Sequence, residues 1–261
     1  MGRKIDRTGE INYNNFGSKM EIIEYRKAID IDVYFPEYDW TFKNARYGEF
    51  KKGKIKCPYE GRYYGIAYLG EGKYKCKENG KQTRVYTTWH SMLKRCYDEK
   101  NRSKRSLTYK NCKVCDEWLN FQNFAEWYDN NYYEIEGETM ALDKDILVKH
   151  NKIYSPETCV FVPQTINNLF VKNNKNRGDS VIGTRYHKRD RIYESWCNIY
   201  DFETGKSKYE YLGRYDTQEK AFEIYKQFKE NYIKQVAEHY KNEIPTKLYD
   251  GLYSYEVEIT D

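Results

Sequence analysis

No stretch of this chain approaches 18 consecutive apolar residues, and its mean hydropathy is −1.02. That leaves no candidate for a membrane-spanning helix. The N-terminal "MGRKIDRTGEIN" lacks the apolar core of a secretory signal, so the expected location is the cytoplasm. Metal-binding spacing is equally scarce. Only Cys112 and Cys115, in "NCKVC", have it, and no second CxxC or HxxxH completes a four-ligand zinc set. Cys96 and Cys159 could in principle converge there. A structural zinc is not expected, and the plainer reading is a half-buried cysteine pair beside Trp118. Seven cysteines, an odd count in a cytoplasmic-looking chain, argue against disulfides.

What is abundant is tyrosine, at 29 of 261 positions, within an aromatic content of 17%. Disordered chains are poor in aromatics, whereas an amphipathic ring suits a half-buried strand face. The net charge of +5 is a mild basic excess, compatible with a nucleic-acid partner. It is concentrated in "KHNK" (149–152), "VKNNKNR" (171–177) and "RYHKRDR" (185–191), all nearly free of acid.

The expected fold class is α+β, in four segments. Residues 1–60 alternate as short strands, with "YGEFKKGKIKCPY" read as a turn-rich third run, and predict a small β-rich module. Residues 61–170 begin with a hairpin at "ENGK", where Asn-Gly suits a type I′ turn. A helix follows whose apolar residues Trp89, Met92, Leu93 and Cys96 recur at helical spacing. A second helix is expected from an Asp116 cap through Trp118, Phe121, Phe124 and Trp127. Residues 171–180 read as a basic linker. Residues 181–261 read as three short strands and a long helix, capped by Asp216 or Thr217, with Ala221, Tyr225, Phe228 and Tyr232 as its buried stripe, then a helical extension.

Within "ALDKDILVKHNKIYSPETCVFVPQTINNLF" (141–170) the pattern is strand, exposed loop, strand and helix start. Hydrolysis of a phosphodiester needs a cation on the phosphate, a base for water and rigid placement of both. Residues 142–168 resemble the HNH, or ββα-metal, nuclease family, which supplies these from a hairpin and the following helix. The resemblance implies Asp143 and Asn167 as ligands of Mg²⁺ or another divalent cation. It puts Lys144 where the family has its base histidine. Asp145 and Asn151 follow as acid and loop residues, Pro156 starts the end of the loop, and Phe161 lies on the second strand. A lysine with its reference pKa near ~10.4 is neutral in only about one molecule in 2,500 at pH 7. Lys144 is therefore either a base with a strongly depressed pKa or a cation facing the phosphate. His150, in the loop, is a substitute base; His90, on the preceding helix, is another. The bland reading of "LDKDIL" is a solvated strand end with a structural aspartate.

"IGTR", "YESWCNIYD", "YLGRYDTQEKAF" and "YKQFKENY" make residues 181–232 similar to the APETALA2-type DNA-binding domain. In that family a three-stranded sheet enters the major groove with arginine and tryptophan side chains. The similarity implies double-stranded DNA as partner and Arg185, Lys188, Arg189, Arg191, Trp196, Lys208 and Arg214 as contacts. Tyr193 occupies the family's usual strand-aromatic position, so Trp196 is offset from it.

Together the two resemblances suggest a homing-type endonuclease or nickase of the kind carried by bacteriophages of low-GC bacteria, acting in the bacterial cytoplasm. The N-terminal module is a second DNA-contacting unit or a docking surface for a protein partner. Two alternatives stand beside the enzyme: a catalytically inactive DNA-binding phage regulator, and a protein-binding inhibitor of host defence.

Overall fold

A computed structural model describes residues 5–99, 109–171 and 180–260. Helices and small sheets are mixed along the chain, an α+β composition. Among the described residues no helix is long and apolar enough to cross a membrane. The expected linker falls mostly in 172–179, outside the described residues. Two compact units divide the chain, Met1–Asn130 and Asn131–Asp261. The division lies inside the segment 61–170, and the packing of the second unit gives the reason.

The first unit opens with a four-stranded antiparallel sheet in the order β1 (Ile11–Tyr13), β2 (Lys19–Lys27), β3 (Asp30–Phe35) and β4 (Trp40–Ala45). Met20, Ile22, Ile31, Val33 and Phe35 alternate onto one face and bury against Phe50, Ile55 and Cys57. Phe50 belongs to a single-turn helix, α1 (Tyr47–Lys51), so "YGEFK" is helical where a turn-rich strand run was expected. The core needs one bulky ring over the sheet at that point, and a helical turn delivers it. The Asn-Gly hairpin forms as expected. Asn79 and Gly80 take φ of 50° and 75° between β5 (Lys77–Glu78) and β6 (Lys81–Gln82).

Thr83 then caps α2 (Arg84–Tyr97) by accepting from the Tyr86 N–H. Trp89, Met92, Leu93 and Cys96 are buried, as their spacing predicts. After β7 (Lys113–Val114) the expected second helix is two pieces, α3 (Asp116–Leu119) and α4 (Phe121–Asn131). Its cap is Cys115, with Asp116 in the first turn. Asn120 leaves helical geometry and its side-chain oxygen accepts from the Gln122 N–H, restarting the helix.

The second unit contains β8 (Met140–Asp143), β9 (Ile153–Tyr154), β10 (Val160–Pro163) and the one-turn α5 (Gln164–Asn168). A three-stranded sheet follows, β11 (Thr184–His187), β12 (Ile192–Asp201) and β13 (Lys206–Tyr215), then α6 (Gln218–His239) and α7 (Thr246–Tyr253). Thr217 caps α6 by accepting from the Lys220 N–H. Gly183, at the start of the sheet, has φ of 74°, and a Cβ there would lie 2.1 Å from the Tyr225 ring, so only glycine fits.

One core holds β8, β10 and α5 together with the C-terminal helices. Ile146, Val160, Val162 and Ile166 pack with Tyr232, Ile233, Val236 and Ala237 of α6 and with Leu248 and Leu252 of α7. The other flank of α6, with Tyr225, packs on the sheet through Cys197, and Ile199 and Leu212 border that cluster. The Tyr232 hydroxyl also takes the Tyr200 N–H at 2.7 Å and donates to the Tyr200 carbonyl at 2.8 Å. Those two backbone groups lie where β12 has outrun β11 and would otherwise lack partners. The expected hairpin segment and the expected C-terminal segment are thus a single packed body.

Ile233→Ala removes a fully buried side chain from this shared helix and should cost about 2–5 kcal/mol. Amide hydrogen exchange in β8 and β10 should accelerate together with that in β12. Faster exchange in only one of these sets would mean that they unfold separately.

Candidate functional site

Asp143 ends β8 opposite Val160. Its Oδ1 accepts the N–H groups of Asp145 and Ile146, both at 2.7 Å, so the carboxylate caps the turn leaving the strand. Burial pushes this carboxyl above the ordinary aspartate value, outweighing the pull of the two amides.

Lys144 is 4% exposed. Its ammonium donates to both oxygens of Asp145 at 2.6 Å and to the Asn151 carbonyl at 2.8 Å, using all three N–H donors. Asn151 returns the contact: its amide donates to the Lys144 carbonyl at 2.9 Å and to the Ile153 carbonyl at 2.6 Å. The Asp145–Asn151 loop is therefore closed around the lysine.

His150 sits at the exposed loop tip with φ of 59°, its Nε2 3.0 Å from the Glu258 carboxylate. Asn167 is half-buried in α5, which packs against β8. Its side chain has no hydrogen bond among the described residues. His90 belongs to the first unit, where its ring stacks on Tyr86 at 5.9 Å and meets Tyr63 edge-on at 6.0 Å. Burial, with help from Lys94, lowers its pKa from the ordinary 6.5.

Among the described residues no cluster of three or more His, Cys, Asp or Glu side chains could hold a metal ion. Asp143 and Asn167 are two ligands at most. Mg²⁺ is often held by one or two carboxylates completed by water and phosphate; of the two expected ligands only Asp143 is a carboxylate, and the Lys144 cation adjoins it in sequence.

The three-stranded sheet separates its residues cleanly by face. Thr184, Ser195, Cys197 and Ile199 point toward α6. Pairing of Arg185, Glu194 and Arg214 across the strands puts all three on the opposite, outward face. Trp196 joins them, its ring 4.6 Å from Tyr211, and Tyr209 extends the row at 75% exposure. Glu194 is 7% exposed; it contacts Arg214 Nε at 3.3 Å and accepts from the Trp196 indole N–H at 3.4 Å. Arg185 has no ion-pair partner among the described residues. The β11–β12 turn adds Lys188, Arg189 and Arg191, all exposed, with Asp190 near Arg189 and, at 3.9 Å, Arg214.

A bulge sets this arrangement. Ser195 pairs with Gly213 but Trp196 pairs with Tyr211, so Leu212 is an extra residue in β13. Gly213 carries φ of 124°. Strict alternation from Tyr209 and Tyr211 would turn Arg214 toward the helix; the extra residue reverses the phase and brings it outward. Lys208 lies before the bulge, opposite Ile199 and 3.9 Å from Asp201, on the helix-side parity of its strand. It is thereby parted from the other six residues expected at a DNA surface. Tyr193 faces inward against Tyr186 at 5.0 Å, so the offset Trp196 is the outward aromatic.

Glu194, Tyr209 and Tyr211 were missed by the sequence reading. Alternation flags exposed aromatics, but the bulge that orders them leaves no mark beyond the Leu-Gly pair. No known protein family, curated protein or solved structure matches the chain.

Two outcomes are expected here. Lys144→Met should lose about 1–3 kcal/mol, the range for charge-assisted hydrogen bonds, with faster amide exchange through 145–151. Unchanged exchange there would show that the loop closes without the lysine. For His90, a lowered pKa means that the unfolded chain takes up a proton the folded ring resists. Stability is then full above 6.5 and falls as pH drops below it. Urea midpoints at pH 7.5 and 5.5 should show wild type losing ground to His90→Phe on the acid side.

Proposed function

We propose that this chain is a double-stranded DNA-binding protein that uses the outward face of the β11–β13 sheet, with the β8–β10–α5 segment as scaffold rather than catalyst. The observation that carries the reading is that face itself. Arg185, Arg214, Trp196, Tyr211 and Tyr209 stand on one side of a sheet whose other side is packed on a helix, and a basic turn flanks them. Three strands spaced about 4.8 Å apart span roughly 10 Å, and the B-DNA major groove is about 12 Å wide. Five cationic residues (185, 188, 189, 191, 214) outnumber two acidic ones (190, 194), which favours phosphate contact and salt-sensitive binding. Glu194 holds Arg214 and Trp196 in place, so less side-chain freedom is lost on binding. The similarity of residues 181–232 to APETALA2-type domains points to the same partner.

The scaffold reading rests on Lys144. An ammonium with all three donors engaged presents no lone pair to a water molecule. His150 is occupied with Glu258.

A second reading, a divalent-metal-dependent HNH-like endonuclease or nickase, is favoured by one observation. Asp143 Oδ2 and the Asn167 side chain carry no hydrogen bond among the described residues, leaving oxygen ligands available on the hairpin and on α5.

Fluorescence anisotropy on DNA duplexes at several salt concentrations tests the first reading, and supercoiled plasmid with Mg²⁺, Mn²⁺ or EDTA tests the second. Arg214→Ala and Arg185→Ala should each weaken binding about 5- to 100-fold, the range of one base or phosphate contact. Lys208→Ala, on the other face, should change it less than either. The plasmid should stay intact with every cation. Nicking that Asp143→Ala and Asn167→Ala abolish would establish the nuclease instead, and absence of salt-dependent binding would remove both readings.

A further inference from the structure

A cleft in the second unit, remote in chemistry from the sheet face, holds the least explained charge among the described residues. Leu169, Phe170, Val171, Ile182, Tyr225, Tyr255 and Val257 form its largely apolar wall, and Lys229 of α6 reaches into it. We propose that this cleft binds a small monocarboxylate, of formate to propionate size, whose carboxylate pairs with the Lys229 ammonium.

Three observations carry the assignment. First, Lys229 is only 7% exposed and has no hydrogen bond or ion pair among the described residues. Its ammonium lies 5.8 Å from the Tyr232 ring, and the Cys197 thiol is near enough to act on its charge. A buried lysine normally finds a carboxylate or threads its amine to water. The neighbouring acid cannot serve, because Glu230 is taken by Lys226 at 2.9 Å and by the Val257 N–H at 2.8 Å. Burial pushes the Lys229 amine below the ordinary lysine value, the signature of a cation without a counter-charge. Second, the wall contains no carboxylate among the described residues, which leaves the counter-charge for a ligand to supply.

Third, the walls are built in advance. Phe170 and Tyr255 meet at 4.7 Å, and the Tyr225 ring is seated on Gly183, where no side chain could intrude. The cavity measures about 30 Å³ on a scale where one water needs roughly 10–15 Å³. That suits a carboxylate with a very short apolar tail better than an aromatic acid. An anion of this kind satisfies the charge and places its methyl or ethyl group on the apolar wall.

The test is thermal unfolding of the full chain in sodium formate, acetate, propionate, benzoate or chloride at constant ionic strength, with Lys229→Met beside the wild type. Acetate or propionate should raise the wild-type midpoint saturably by a few degrees, as expected of a ligand that binds only the folded state. Benzoate and chloride should not, and Lys229→Met should respond to none of them. Lys229→Met should fold, since methionine fills the same space without a buried charge. Should it not, Lys229→Gln is the substitute, read by line broadening of ¹³C-acetate in the presence of each protein. An equal response in the variant, or no saturation by any short acid, overturns the proposal. Selective labelling of Lys229 by a small aldehyde and borohydride would also overturn it, because that requires a neutral amine and makes the site a carbonyl site.

Discussion

The fold of residues 131–261 depends on the two-sided burial of α6. Tyr225 and its neighbours face the three-stranded sheet, while Ile233, Val236 and Ala237 face the β8–β10 hairpin and α7. Neither partner could bury its own apolar face alone. The hairpin is two short strands and one helical turn, below the size at which such a unit is independently stable in water. The sheet has a single inner face that needs a helix. A helix of 22 residues is long enough to serve both. Whatever the hairpin does chemically, it is held in place by the same element that holds the outward sheet face.

The sequence made that helix legible, and with it Thr217 as cap and most of the buried stripe. The Asn-Gly hairpin, the Thr83–Tyr97 region and the three C-terminal strands could be read for the same reason: local rules of period, capping and turn chemistry govern them. What could not be read was non-local. "YGEFK" becomes helix because the N-terminal core needs Phe50, and α3 and α4 part at Asn120 because an asparagine side chain can outcompete a helical hydrogen bond. Lys229 sits at a buried helical position that periodicity alone would assign to an apolar residue. The shared core of hairpin and C-terminal helix has no local signature at all, which is why segment boundaries drawn from composition cut through it.

For the sheet face, residue type was legible and side was not. Seven candidate DNA contacts could be named from their resemblance to a known family, yet strand alternation decides which of them can act together. One extra residue at Leu212 moves Arg214 to the side of Trp196 and Tyr211, while Lys208, just before it, faces the other way. A single-residue change of phase inverts every side chain beyond it, so no list of basic residues defines such a surface until the register is known.

Lys144 shows the converse limit, where position is legible and role is not. The resemblance to HNH nucleases puts it where that family has a base, but such a place confers nothing unless the atom can accept a proton. Here Asp145 and Asn151 lie within 2.8 Å of the amine, and their oxygens accept all three of its N–H bonds. A histidine at this position could donate to one neighbour while keeping its second ring nitrogen free; a lysine has one nitrogen and spends it on the loop. A buried cation with three acceptors ties residues 144, 145 and 151 together across the loop. Any hydrolytic chemistry at Asp143 and Asn167 would therefore need a proton route from the attacking water that does not pass through residue 144.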